Sequence, residues 1–495
     1  MSAAPGTLLM NQIAVRVLLD DLIVVTTLPW NLDRSDLLDF RLLNDDFLLI
    51  FGCEGWSGRS THIRSHGTCR TDVLRRTSSC ARDRIRMRCA AADGVFGYHP
   101  HPLRLKVGVE MRLEGSEALS PRTLLLHNEI RYIRPAMSSL LRTHYPWTKA
   151  PFLASAPMLG AATPALAASV SKAGGIGFLA GSANSDTLDK DLQQVASILA
   201  QDRTAEANNP DILPIGLGFQ LWGAKLSVAV SAVKKHLPAV VWLFAPSDER
   251  QLQEWSRELR LASQEKTKIW IQVGTVHDAK QAVELAAPDV LVLQGSDAGG
   301  HGLKRSASTV TLVPEVVDYL ASKHGASIPV LAAGGIMDGR GVAGAIALGA
   351  AGAVMGTRFL AATEAGIAKG WQKELLKATD GGVSTGRSTL PDRLKETIGW
   401  PEHFDGRALL NKGHEDEQAG LSDAENIALY KQEMAQGDDA WGVHGRMVTY
   451  AGTGVGLVKE IKPAAEIVRE VHMSARSAIQ NAAESLRHSE PHSKL

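Results

Sequence analysis

From residue 151 onward, short apolar runs alternate with longer segments whose apolar residues recur every three to four positions. The short runs read as strands buried on both faces, and the longer segments as amphipathic helices. Strands are predicted at 152–158, 176–180, 215–219, 239–244, 268–273, 290–293, 329–333 and 352–355. Helices are predicted between them at 164–173, 186–202, 222–236, 249–263, 276–286, 310–324 and 340–348. Turn residues fall at the joints, as at Gly174-Gly175, Ala245-Pro246 and Gly334-Gly335. Eight strands with intervening helices over about 220 residues is the count of an α/β fold, the (β/α)8 TIM barrel. A doubly wound sheet is the alternative, but it rarely runs to eight regular units in so few residues.

Beyond the barrel pattern, helices are predicted at 369–378, 422–435 and 463–483. The polar stretch 379–420 reads as a long loop, a lid or a subunit contact. The segment YAGTGVG at 450–456 reads as a loop closing over the ligand, with Tyr450 near the substrate. Residues 1–136 look different. They lack lysine before Lys106, are dense in arginine from Arg59 to Arg88, and hold no sustained period. A small extra domain, a basic disordered arm and an extension outside the working protein all fit. Disorder or a non-working extension is the favoured reading, with Met137 as a natural start. The division expected is an N-terminal extension (1–136), a barrel (137–365), a helical lid region packing on it (366–483) and a disordered tail (484–495).

Composition narrows the function. Lys plus Arg and Asp plus Glu number 53 each, so bulk electrostatic binding of nucleic acid is not expected. No apolar run reaches the ~18 residues of a membrane span. All four cysteines lie in the first 90 residues at spacings that match no zinc motif, so no metal is expected. The barrel therefore works without thiol or disulfide chemistry, which fits a reducing compartment.

A barrel gathers its strand C-termini, and its active site, at one face. That face would hold Met158, Gly181, Gln220, Gln272, Gln294, His301, Gly334 and Gly356. His301 is the candidate base, flanked by Gly300 and Gly302 just past the sixth strand; a plain surface histidine is the alternative. Gly334-Gly335 and Gly356-Thr357 follow the seventh and eighth strands, where this fold commonly binds phosphate. Tight turns without a ligand would look the same. A flavin mononucleotide anchored there would lay its ring across the strand ends. Residues 157–159 would then offer backbone contacts, and Gln272 and Gln294 amide groups.

Three segments carry a resemblance: APMLGAATPALAASVSKAGGIGFLAGS (156–182), QGSDAGGHG (294–302) and VLAAGGIMDGRGVAGAIALGAAGAVMGTRFL (330–360). Together they resemble the nitronate monooxygenase family, formerly called 2-nitropropane dioxygenase, over residues 151–471. The resemblance implies an FMN-dependent TIM barrel whose AGGH histidine, His301 here, is the catalytic base. It places flavin contacts on Met158, Gln272, Gln294, Gly300, Gly335, Gly356 and Thr357, with Gly299 and Gly334 beside them. Asp297 stands where many members carry Glu, and residues 1–136 match nothing in the family. The implied reaction is oxidation of alkyl nitronates, and of nitroalkanes, by O2 to carbonyl compounds and nitrite. An imidazole near its ordinary pKa of about 6.5 accepts a nitroalkane C–H proton at neutral pH. Two rival readings stand: an NAD(P)H-dependent flavin reductase of the same fold, and a flavin-free barrel that binds a phosphorylated ligand. The terminal Ser493-Lys494-Leu495 is a peroxisomal address, read by the import receptor; a cytoplasmic location is the alternative.

Overall fold

The computed structural model describes residues 140–181, 184–201, 211–324 and 328–487, together with the backbone of short strands between residues 12 and 110. The chain divides into two compact units, Met1–Pro121 and Arg122–Leu495. In the first, Gln12–Leu19 pairs with Leu22–Pro29, and Leu38–Arg41, Phe47–Gly52 and Arg70–Arg75 form an antiparallel sheet. The other expectations for residues 1–136, and those for Ser493, Lys494 and Leu495, lie outside the described residues.

The second unit is a (β/α)8 barrel. Its strands are Phe152–Ser155, Phe178–Ala180, Leu213–Gln220, Pro238–Phe244, Lys268–Val273, Val290–Gln294, Val330–Ala333 and Gly352–Met355. All sheet neighbours are parallel, and the eighth strand pairs with the first, Met355 opposite Ser155. A parallel bridge between Ala154 and Ile176 joins the first strand to the second and closes the ring.

Side chains alternate between two apolar layers, as the period of a strand demands. Phe152, Phe178, Trp242, Trp270, Val292 and Leu331 fill the barrel interior. Leu153, Leu179, Val241, Ile269 and Leu291 face the helices instead. The aromatic interior explains the glycines of the third strand. A Cβ at Gly216 would fall 2.1 Å from the Phe178 ring. Tyr145, in the segment preceding the first strand, packs on Phe152 and Trp270 and accepts the Trp270 indole hydrogen at 2.8 Å.

Three expectations need correction. The first strand stops at Ser155 rather than 158, because Met158 already accepts from Ala161 and Ala162 in the turn into the first helix. The last helix, Ala464–Arg487, runs beyond 483. It is fixed by close packing on the helix Gly339–Leu348, where a Cβ at Gly339 would fall 2.1 Å from the Ala475 nitrogen. The stretch 379–420 is not a loop. It holds the strands Thr385–Ser388 and Phe404–Leu409 and the helices Leu390–Leu394 and Lys412–Gln418. With Gly300–Leu303 these strands make an antiparallel sheet in the order 300–303, 404–409, 385–388. The first of these pairings joins residues about a hundred positions apart, which leaves no local period to read.

Replacing Tyr145 by Phe is expected to leave the Trp270 indole unpaired and to cost about 1–3 kcal/mol in urea unfolding. Burial lowers the pKa of His414 and His472, which sit neutral in the folded chain. The unfolded chain then binds more protons at acid pH, so stability is full above the ordinary value of 6.5 and is lost below it. Melting temperatures recorded while lowering the pH through that value should fall, before carboxylates titrate.

Candidate active site

His301 sits on the strand Gly300–Leu303, directly opposite Gly406. The expected glycine loop is thus a strand of the small sheet. Gln294, at the end of the sixth barrel strand, donates its amide hydrogen to the His301 carbonyl at 3.0 Å. Gly302 permits this approach, since a Cβ there would fall 2.6 Å from Gln294 Oε1. The histidine backbone is therefore tied to the barrel mouth.

The ring is held on three sides. His301 Nε2 lies 2.8 Å from Asp392 Oδ1, and the Thr397 hydroxyl donates to that same oxygen at 3.0 Å. Trp400 stacks on the imidazole with ring centres 3.8 Å apart and planes within 4°. Tyr450 stands 5.5 Å away at a tilt. Gly406 leaves the space between them, because a Cβ there would fall 3.1 Å from the Tyr450 ring. Burial, with Asp392 and Tyr430 adding negative field, pushes the Tyr450 phenol far above its ordinary pKa, so it stays neutral. Trp400 continues an aromatic wall through Phe404 and Phe244. That wall borders a cavity of about 550 Å³ that also reaches Gln272 and Gln294.

The loop at 450–456 closes onto the barrel. The Thr453 hydroxyl donates to Asp297 Oδ1 at 2.9 Å, and the Gly452 N–H donates to Thr357 Oγ1 at 3.0 Å. Gly299 is needed for this docking: a Cβ there would fall 2.3 Å from the Ala451 and Gly452 backbone. The shorter Asp297 thus has a defined partner. Arg387 and Arg407, paired across the small sheet, reach toward the same segment. Arg387 binds Asp405 at 2.7 Å and the Ala298 carbonyl at 3.4 Å, and Arg407 reaches the Ser296 carbonyl at 3.4 Å.

The glycine sites keep their expected positions. Gly334 and Gly335 have φ of 108° and 72°, the left-handed region that favours glycine. Gly356 precedes the short helix Thr357–Leu360, and a Cβ there would meet Met158 Sδ only at 3.8 Å. The start of the helix Gly339–Leu348 is already satisfied, because Asp338 accepts from the Arg340 and Gly341 N–H groups. Thr357 accepts from Gly452, which leaves its own hydroxyl hydrogen to give. Gln272 accepts from Trp242, which leaves its amide hydrogens. Thr357 and Gln272 thus keep hydrogen-bond donors that a ligand at the strand ends could use. There is open space at Gly300, whose Cβ would meet nothing within 4 Å. The buried donors Ser388 Oγ and Trp371 Nε1 have no partner among the described residues. No group of His, Cys, Asp and Glu among the described residues is arranged for a metal ion.

Met158, Gln272, Gln294, Gly299, Gly300, His301, Gly334, Gly335, Gly356, Thr357 and Tyr450 therefore meet at the strand C-termini or on the sheet that covers them. Asp392, Thr397, Trp400, Arg387 and Arg407 were missed, all within the stretch read as a loop. Arg387 and Arg407 are cross-strand partners, a pairing that no local pattern marks.

Fold and site together define a (β/α)8 barrel with a histidine held in a small sheet over the strand C-termini. The family model for nitronate monooxygenase matches residues 141–209 and 256–473. Nitronate monooxygenase npaC of Metarhizium robertsii is 46% identical over 360 residues, which cover 72% of this chain and 98% of that protein. A nitronate monooxygenase of Neurospora crassa is 38% identical over 358 residues, covering 69% and 93%. FabK from Thermotoga maritima superposes with a TM-score of 0.53 at 26% identity, covering 71% and 98%. Nitroalkane oxidase from Streptomyces ansochromogenes shares the fold with a TM-score of 0.51 at 24% identity, covering 69% and 99%. The chain belongs to the nitronate monooxygenase family.

Replacing Gly299 by Ala should force Ala451 and Gly452 away and undock the 450–456 loop. Limited proteolysis should then cut at that loop, and the variant should lose about 1–3 kcal/mol of stability to overpacking.

Proposed function

We propose that the chain uses FMN and O2 to convert alkyl nitronates to carbonyl compounds and nitrite, with His301 as the base when a neutral nitroalkane is the substrate. The observation that carries this reading is the position of His301: its backbone is bonded to Gln294 at the barrel mouth, on the face that holds the two glycine sites. FMN would be held by backbone groups around Gly334-Gly335 and Gly356-Thr357, with Met158, Gly300 and the free amide hydrogens of Gln272 near its ring system. Bound there, it supplies the electron-accepting and O2 chemistry.

The side chains of this chain do the rest. A nitroalkane C–H is acidic because its conjugate base spreads charge onto the nitro oxygens. His301 takes that proton, and the imidazolium formed lies beside a carboxylate and an aromatic face. Tyr450, held neutral, has a hydroxyl to donate toward a nitro oxygen. The docked 450–456 loop excludes water from the mouth.

The full-length protein should purify yellow, or become yellow on addition of FMN, and take up O2 with alkyl nitronates. A protein that gains no flavin absorbance would sink this reading. Rapid NAD(P)H oxidation without nitronate turnover would move the assignment to a flavin reductase of the same fold. His301→Ala should lose about 10²–10⁴-fold on neutral nitroalkanes and far less on preformed nitronates; equal losses would show that His301 is not chiefly a base.

The Ser493-Lys494-Leu495 terminus supports import into peroxisomes. A fluorescent fusion that keeps this terminus free should be punctate and co-localise with a peroxisomal marker. Deletion of the three residues should leave it diffuse.

A further inference from the structure

We propose that Asp392 is a positioning residue for His301: it accepts the Nε2 hydrogen and leaves Nδ1 as the nitrogen that takes the substrate proton. The inference rests on the reading of His301 as a base. Three observations carry it. Asp392 Oδ1 is 2.8 Å from Nε2 and the aspartate is 8% exposed, so the contact is sheltered from water. An ionised carboxylate can only accept, so Nε2 must carry the hydrogen and the lone pair must sit on Nδ1. Thr397 donates to the same carboxylate oxygen and fixes it from the far side. Trp400, parallel to the imidazole at 3.8 Å, stops the ring from tilting. No hydrogen bond engages Nδ1 among the described residues.

The charged and titratable groups around the ring come from three elements. Asp392 lies on the helix Leu390–Leu394. Lys395, in the turn that follows, holds its ammonium 5.2 Å from the centre of the Tyr450 ring. Tyr450 belongs to the docked loop. His301's own strand supplies only Gly300, Gly302 and Leu303, and the residue opposite is Gly406. Gly406 is flanked on its strand by Asp405, which Arg387 binds, and by Arg407, which reaches the Ser296 carbonyl.

The step balances within the site. The nitroalkane C–H bond breaks, its electron pair moves into the nitronate, and the proton goes to Nδ1. The neutral imidazole becomes an imidazolium facing one carboxylate and one indole face. Both stabilise the cation, and so draw the proton across. A preformed nitronate has no proton to give, so its turnover should not depend on this pair.

Asp392→Asn tests the proposal in the full-length holoenzyme. kcat/KM on neutral nitroalkanes should fall about 10²–10⁴-fold, the range for a misdirected general base. The loss on preformed nitronates should stay within about threefold, a small part of that range. The rising limb of the nitroalkane pH profile should move to lower pH, because removal of an adjacent anion weakens the base. Asp392→Glu should recover part of the loss. Equal losses on both substrates with an unmoved pH profile would reduce Asp392 to a structural role. Should Asp392→Asn fail to fold, Thr397→Val, which removes only the second donor to the carboxylate, should give a smaller loss confined to nitroalkanes. A readout that needs no turnover is the ¹⁵N spectrum of the histidine ring in the wild type. The Nε2–H tautomer is expected at His301, identified by its absence from His301→Ala, and the Nδ1–H tautomer would overturn the proposal. Equal losses in His301→Ala on both substrate types would fail the base reading itself, whichever tautomer the spectrum shows.

Discussion

The antiparallel pairing of Gly300–Leu303 with Phe404–Leu409 is the contact on which the site depends. Before it forms, His301 is a glycine-flanked residue after a barrel strand, and Asp392, Thr397 and Trp400 are far along the chain. Pairing puts Gly406 opposite His301, and the absent side chain leaves room for Tyr450. The connection between Thr385–Ser388 and Phe404–Leu409 then carries Asp392, Thr397 and Trp400 to the imidazole. A one-residue slip of this register would point His301 to the opposite face, away from all three. The register is held from outside the sheet by Gln294, which binds the His301 carbonyl, and within it by Arg387, which binds Asp405.

The barrel gives this small sheet a rigid base. Its interior is packed with Phe178, Trp242 and Trp270, whose ring centres lie 5.2–6.1 Å apart. Such rings fill a closed sheet only where a neighbour gives way, and Gly216 does so. The polar layer begins one step higher. Trp242 donates to Gln272, so the last interior aromatic residue also orients a polar group at the mouth. Core packing and site geometry are thus continuous through one indole N–H.

The barrel was legible in the sequence because, apart from the closure of the eighth strand on the first, its strand pairs join strands that follow one another in the chain. Alternating burial and helix periodicity mark strands and helices within windows of a few residues, and the family motifs at 156–182, 294–302 and 330–360 fall on those same elements. The roof was not legible for the opposite reason. Thr385–Ser388 is too short and too polar to register as a strand, and its partner lies sixteen residues on. The role of Asp392 depends on where residues 300–303 lie in space, which no local pattern reports. Gly299 illustrates the same limit. Its glycine was readable as a close approach, but the approaching group is the protein's own Ala451 and Gly452 backbone.

That docking shows how the two halves of the site are coupled. Thr357 begins the short helix after the eighth strand, and Asp297 lies in the turn after the sixth. Both bind the 450–456 loop, through Gly452 and Thr453 respectively. The loop therefore spans from the glycine site to the base, and it carries Tyr450 at its near end. Anything that reorganises the backbone around Gly356-Thr357 must act on Gly452, and through it on Tyr450 beside His301. The histidine and the glycine site are held by one piece of backbone, so their spacing is set by the fold and not by a flexible side chain.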